Sequence, residues 1–126
     1  MLAQARARNL YAQLDLAEIH AWLHDAKEGS FDALCAADVL IYIGALEALF
    51  SEAARILRPG GWFAFSTEEC SPKDWQLLAT GRYAQSHDYV RRLAASAFTI
   101  LRAEPATIRI ESGNPLPGRL YLLQKH

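Results

Sequence analysis

The stretch from Phe31 to Ser66 constrains the fold more than any other part of the chain. It opens on an apolar run, FDALCAA, and passes through ALEALFSEAARIL. It stops at Arg58-Pro59-Gly60-Gly61 and resumes as WFAFS. A short apolar run bounded by turn signals predicts a strand over Phe31–Ala37 that is covered on both faces. Over Ala45–Leu57, residues Leu46, Leu49, Phe50, Ala53, Ile56 and Leu57 recur at the three-and-four spacing of one buried helical stripe. Proline after Arg58 disfavours further helix, and two glycines can turn the chain with positive φ. Trp62–Ser66 then reads as a second strand. A strand-helix-strand crossover is right-handed in almost all cases and gives parallel neighbours. Parallel α/β sheets hold their ligands outside the carboxyl ends of the strands.

The flanking segments are read by the same signals. Leu2–Arg8 is a short helix closed by Asn9, which tolerates the left-handed residue that ends a helix. Leu14-Asp15-Leu16 alternates as a strand does, and Ile19–Lys27 is helical with Ile19, Trp22 and Leu23 on one face. Trp75–Leu78 suits a turn of helix. Ser86 is the N-cap of a helix whose apolar face is Tyr89, Val90, Leu93, Ala94 and Ala97. Phe98–Leu101, Thr107–Glu111 and Arg119–Gln124 read as strands. The last two are joined over Ser112–Gly118 by a loop longer than the tight two-residue kind.

The 126 residues suit one domain, residues 1–126, with no linker or repeat. With 52% hydrophobic and 21% charged residues, the chain has the balance of a globular protein. A net charge of -1 supplies no basic field for nucleic acid and no polybasic membrane patch. No apolar run approaches the ~20 residues that span a bilayer. MLAQARARN lacks the apolar core of a signal peptide, so a cytoplasmic location is expected. Cys35 reads as a buried small hydrophobe, and a disulfide to Cys70 is not expected. His20 and His24 have the spacing of two metal ligands, but no third accompanies them, and they read as surface residues with no metal. Trp22 and Trp62 read as core. Glu68 and Glu69 are not a paired acid and base, since strand neighbours point to opposite faces.

Three blocks, FDALCAADVLIYIGALEALF, RILRPGGWFAFSTE and GRYAQSHDYVRRLA, resemble the carboxyl-terminal part of a class I S-adenosylmethionine-dependent methyltransferase. The nearest group is the predicted methyltransferases often fused to tetratricopeptide repeats. The resemblance implies an α/β fold: a partial Rossmann-like sheet with strands like three to seven of a seven-stranded order 3-2-1-4-5-7-6. It would end in an antiparallel hairpin. Leu14–Ala17 would be strand three, Phe31–Ala37 strand four, Trp62–Ser66 strand five, and the last hairpin strands six and seven. It implies S-adenosylmethionine as cofactor, with Glu18 at the adenine and Ala36, Ala37 and Asp38 along the methionine portion. Tyr42, Arg82 and Tyr83 would face a small-molecule or protein acceptor. From the residues alone, Asp38 reads equally as a strand-end functional carboxylate or a helix cap, and Glu18 as a solvated or N-capping residue.

One departure from that pattern is large. The Gly-rich loop that lets the backbone approach the cofactor has no counterpart, because no glycine precedes Gly29. Met1 stands where the family often has a methionine just after its ribose-binding acid. The chain is therefore expected to begin partway through an ancestral domain. Two further readings follow. One is a non-catalytic, self-associating or partner-binding module, because removing strands one and two would leave strand four with an open edge. That reading expects a homodimer, or a sheet in which Leu14–Ala17 pairs directly with strand four. A dehydrogenase-like fragment is more distant, since nothing resembles a hydride-transfer site.

Overall fold

A computed structural model describes all residues, 1–126. In chain order, α1 is Leu2–Arg8, α2 Ile19–Asp25, β1 Phe31–Ala36, and a 3-10 turn covers Leu40–Tyr42. Next come α3 Glu47–Ile56, β2 Leu57–Glu68, β3 Trp75–Leu77, β4 Tyr83–Gln85 and α4 His87–Ala94. The chain ends with β5 Phe98–Glu111 and β6 Asn114–Lys125. The main sheet has the order β1-β2-β6-β5, and β3 and β4 form a small separate ribbon. β1 and β2 are parallel, while β6 runs antiparallel to both β2 and β5. That is the order and sense expected for strands four, five, seven and six. No helix is long and apolar enough to cross a membrane.

The crossover forms where the apolar stripe requires it. Leu46, Leu49, Phe50, Ala53, Ile56 and Leu57 are all buried, and they pack on Phe63, Phe65, Phe98, Tyr121 and Leu123 of the sheet. Phe50 is the hub, edge-to-face with Phe63 and Phe65 at 5.6 Å and with Phe98 at 6.1 Å. At the return into β2, a Cβ on Gly61 would meet the carbonyl oxygens of Arg58 and Asp32 at 2.9 Å, so only glycine lets the two strands close there. Asn9 closes α1 at φ 53, and the Ser86 hydroxyl caps α4 by accepting the Tyr89 N–H at 3.1 Å. The Tyr89 hydroxyl in turn accepts the N–H of Leu46 at 2.8 Å, joining α4 to the start of α3.

Several expectations are corrected. Leu14–Ala17 forms no strand and pairs with nothing; the sheet order has no member beyond β1 for it to join. Trp75–Leu77 is strand, not helix, pinned by pairing with β4 and by the edge-on contact of Trp75 with Tyr83 at 5.8 Å. The last hairpin turns in two residues, Ser112 and Gly113, both at positive φ, with Glu111 opposite Asn114. Pro115 and Pro117 do not widen the turn. The regular β2 ladder ends at Gly118, and one last bond runs from the Glu69 N–H to the Pro117 carbonyl at 3.3 Å, so no ladder continues past Pro117 on that side to miss a proline N–H. β5 is one continuous edge strand through Pro105 for a similar reason.

Cys35 and Trp62 are also exposed rather than buried, Trp62 at 51%. The helices cover the face that carries Phe63 and Phe65. Register sets Ala33 beside Trp62, and Cys35 beside Ala64, on the opposite, uncovered face. Trp22 is half-buried against Phe31 at 5.6 Å, its indole N–H donating to Asp15 at 2.9 Å.

Candidate functional site

The carboxyl ends of β1 and β2 lie side by side, and charged groups gather there. β1 ends at the buried Ala36, followed by the exposed Ala37 and by Asp38, whose φ is +60°. A non-glycine residue in the left-handed region is uncommon, and asparagine and aspartate are the side chains that tolerate it. Asp38 is held there from two sides. Its backbone N–H donates to Ser66 Oγ at 3.1 Å, and its carboxylate takes a hydrogen bond from the Arg109 guanidinium through Oδ1.

From Asp38 the charges run on as a chain. Arg109 Nε lies 3.4 Å from Glu68 Oε2, and the Arg82 Nε donates to the same oxygen at 2.6 Å. Arg82 then forks onto Glu111 through two bonds of 3.1 and 3.2 Å. Glu68 is only 2% exposed, so the two guanidiniums are what make its burial tolerable. The bonds from Arg82 hold the Glu111 carboxyl below the usual carboxylate range, and its own guanidinium is held firmly charged.

Of the residues singled out in the sequence, the structure brings Asp38 and Arg82 into this one chain. Tyr42 stands free at 76% exposure at the end of the 3-10 turn. Tyr83 is half-buried on β4 with its ring against Trp75. Glu18 lies outside the charged chain. It caps α2, accepting the Ala21 N–H at 2.8 Å and pairing with His20 Nδ1 at 3.0 Å. The backbone bond from Ala21, with further help from His20, keeps its carboxyl low. His24 is solvent-facing, 3.9 Å from Glu52. Glu68 reads in the sequence only as not forming an acid–base pair with Glu69, and Arg109 and Glu111 carry no site signal beyond the Arg109-Ile110-Glu111 alternation, which does not say what either charge meets.

A second group sits on the other side of the same strand end. Glu69 points away from Glu68 and takes the Arg119 Nε at 2.7 Å. With Cys70, Ser71, Ser86, His87 and Asp88 it lines a cavity of about 390 Å³. His87 Nδ1 is 3.0 Å from the Tyr121 hydroxyl, and the two rings stack at 5.8 Å. Burial, then the charges of Arg119 and Arg91, lower the His87 pKa, while Asp88 and Glu69 oppose them. Burial raises the Cys70 thiol, and the carboxylates of Asp74 and Glu69 reinforce it, so the thiol stays protonated.

A parallel strand pair with its crossover helix, an antiparallel seventh-type strand and charged residues at the carboxyl edge define a Rossmann-like methyltransferase architecture. The methyltransferase domain model matches residues 1–65, just over half of the 126, and the chain belongs to that family. Among solved structures, it superposes on a putative S-adenosylmethionine dependent methyltransferase from Listeria monocytogenes with a TM-score of 0.74 at 15% identity, covering 100% of this chain and 75% of that one. One from Mesorhizobium loti gives 0.66 at 21% identity, over 99% and 76%. The 1,6-didemethyltoxoflavin-N1-methyltransferase of Burkholderia thailandensis has 1,6-didemethyltoxoflavin and S-adenosylhomocysteine bound. It gives 0.63 at 18% identity, over 82% and 48%. At such identities the likeness is one of fold. The chain spans 62% of the length of a Methanosarcina mazei methyltransferase structure and 48% of the Burkholderia enzyme. No curated protein matches it.

Proposed function

We propose that this chain serves S-adenosylmethionine-dependent methyl transfer to a small-molecule or protein acceptor, with Ala36, Ala37 and Asp38 forming one wall of the cofactor cleft. The observation that carries this reading is the left-handed Asp38, fixed at the end of a parallel strand by Ser66 and Arg109. Unlike Asn9 and Ser112, which take the same conformation to end a helix and to turn a hairpin, Asp38 takes it at the carboxyl end of a parallel strand, where ligands of such sheets bind. Asp38 keeps Oδ2 free of protein partners, and that oxygen suits a cationic amino group. The residues present therefore fit the methionine end of the cofactor. Glu18 is the acid for the adenine side, and Tyr42, Arg82 and Tyr83 are assigned to the acceptor side. Bound, the cofactor supplies a methyl group on a positively charged sulfur, already activated by that charge. What falls to the chain is alignment of donor and acceptor.

Calorimetric titration with S-adenosylhomocysteine tests this reading without requiring turnover. Saturable binding that weakens in Asp38→Ala supports it. Flat heats across the millimolar range remove it for this length of chain.

A second reading, self-association as a homodimer, is favoured by a separate observation. The outer edge of β1 pairs with no strand, and Ala33, Cys35, Trp62 and Ala64 lie on the uncovered face beside it. Proteins normally cover such an edge. Light scattering that returns a strictly monomeric mass at high concentration contradicts this reading.

A further inference from the structure

Large apolar side chains stand exposed around the β3–β4 ribbon. Trp75 and Leu77 alternate on β3 and share a face with Tyr83, which pairs with Leu77 across the ribbon. Trp75 is 40% exposed and Leu77 58%. The turn that follows Asp38 rests on the same face. A Cβ on Gly44 would meet the Trp75 ring at 2.7 Å and the Tyr83 ring at 3.0 Å, so the turn lies directly against them. The buried Gln85 locks this arrangement, donating through Nε2 to the carbonyls of Ile43 at 2.6 Å and Leu40 at 3.2 Å. Tyr42 belongs to that turn and is the most exposed of the group. Chain length alone keeps it within about 14 Å of Asp38. Arg82, next to Tyr83, ties the ribbon to Glu68 at the end of β2. The rim therefore adjoins the carboxyl edge from both strand ends. Single apolar residues on a surface need no explanation, but a cluster of them bordered by polar groups marks a place where something binds.

We infer that this rim of Tyr42, Trp75, Leu77 and Tyr83 is the acceptor site, and that it takes a neutral, planar, apolar molecule. The charges at the ends of the ribbon are already paired. Arg82 is bound to Glu68 at 2.6 Å and to Glu111 at 3.1 and 3.2 Å, so its guanidinium is not free to hold an acidic acceptor. Asp74, just before Trp75, is bonded by Arg92. Lys73, exposed on the flanking loop, is the remaining charge there. What meets a ligand is hydrocarbon and ring faces, with the Trp75 N–H and the Tyr42 hydroxyl as polar handles. Small-molecule sites have this make-up, mostly apolar and aromatic with a few polar groups that fix orientation. Aromatic rings also attract one another beyond the area they bury, which favours a planar ligand over a merely greasy one.

The rim is distinct from the uncovered face of the main sheet. Trp62 stands six residues before Glu68 on β2, about 20 Å from that end of the strand. The role of the rim as an acceptor site rests on the methyl-transfer reading above, but its preference for a neutral ring does not.

Benzamide titrated into the intact chain, without cofactor, tests both the site and its ligand class. The Trp75 indole N–H resonance, assigned with Trp75→Phe, is followed by NMR, with Trp22 and Trp62 as internal controls. The expected result is a saturable shift confined to Trp75. Benzoate and benzylamine, of similar size but charged, should bind more weakly. So should cyclohexanecarboxamide, which is neutral but not planar. Tyr42→Ala changes an exposed side chain and should fold as wild type, yet weaken benzamide about two- to twelvefold, the range for one aromatic pair. A shift that never saturates, one shared equally by Trp22 or Trp62, or an affinity unmoved by Tyr42→Ala overturns the site. Equal or tighter binding of benzoate, through Lys73 or a displaced Arg82, or of benzylamine overturns the neutral class. Equal binding of cyclohexanecarboxamide overturns the planar one. A Trp75 shift produced by raising the protein concentration alone assigns the rim to contact between copies, and overturns the acceptor role. Benzamide binding beside a flat S-adenosylhomocysteine titration would sink the cofactor reading alone, and the opposite pair would sink the acceptor site alone.

Discussion

Three substitutions at Asp38 separate backbone strain from chemistry. At φ +60° an ordinary L-residue pays about 1–2 kcal/mol, less for Asp and Asn, whose short polar side chains bond locally. Asp38→Ala loses that relief, at about 1 kcal/mol. It also loses an exposed pair with Arg109, worth roughly 0.2–1 kcal/mol. The sum, about 1–2 kcal/mol, lowers the melting temperature by roughly 3–8 °C for a chain of this size. Asp38→Asn keeps shape and backbone tolerance and loses only the ion pair, so it costs below about 1 kcal/mol. Asp38→Gly removes what strain Asp retains, but it gives back about 0.5–1 kcal/mol in unfolded-state entropy and loses the same ion pair, so it falls between Asn and Ala. Cofactor affinity should follow a different order. All three variants lose the charged acceptor, worth about 1.5–3 kcal/mol, or roughly 10- to 150-fold in Kd. Urea unfolding and S-adenosylhomocysteine calorimetry on the same preparations give both orders. If Asn and Gly bind as wild type while Ala fails, the carboxylate has no role and Asp38 is only a turn. If Ala is as stable as Asn, the strain argument is wrong.

Arg109→Met should raise the preference for S-adenosylmethionine over S-adenosylhomocysteine, because it strips a positive charge from Asp38 and the two ligands differ by one charge at sulfur. A ratio of the two Kd values that does not move would show that Asp38 does not sense that charge. Gly118→Ala should unfold or severely destabilise the chain, since its Cβ would overlap Ile108 Cγ1 and the Thr67 carbonyl oxygen. Overpacking typically costs about 1–3 kcal/mol, and a conflict with backbone is at the upper end; an unchanged urea midpoint would refute that packing. Stability should also fall at both ends of the pH range. His87 has a lowered folded pKa, so its contribution is complete above 6.5 and lost as pH falls through the lowered value. Burial pushes the Tyr89 phenol from 10.0 up to about 12, so its contribution is complete below 10 and lost between 10 and 12. His87→Gln should remove the loss that sets in below 6.5 while leaving the alkaline loss and the separate loss below 4.5 from protonating Glu18 and Glu111, as read from urea midpoints across pH.

What was legible in the sequence is what is local. The α3 stripe, the Ser86 cap and the left-handed Asn9 each depend on residues within a few positions. All three form as read. The orientation of a strand is not local in that sense. Nothing in FDALCAA says which face a helix covers, so Cys35 and Trp62 read as buried, whereas register turns both outward. The prolines after Gly113 misled for a related reason. They forbid a ladder only where it continues on both sides, and the bonds to the β2 side stop at the Pro117 carbonyl. The candidate site divides the same way. Asp38 was legible from its place at a strand end, whereas its partner Arg109 lies 71 residues away and is delivered by the fold.

That delivery explains why the charged chain sits where it does. β1 and β2 bring Asp38 and Glu68 to one edge, and both are acidic, so by themselves they would repel each other. Arg109 arrives from the far edge strand β5, on the stretch of ribbon that runs beyond the end of β2, hydrogen-bonding Asp38 and setting its charge 3.4 Å from Glu68. Arg82 closes the chain from the other end and ties Glu68 to Glu111 on the same strand. The overhanging part of the β5–β6 ribbon is thus fastened to the carboxyl edge by charge, where no hydrophobic contact of the main core reaches it. Asp38 is fixed as a consequence, with one oxygen spent on Arg109 and the other left for a ligand. A loose carboxylate would have to be ordered on binding, at an entropic cost that reduces affinity. Here the ion chain has ordered it in advance, as the proposed role in the cofactor wall requires.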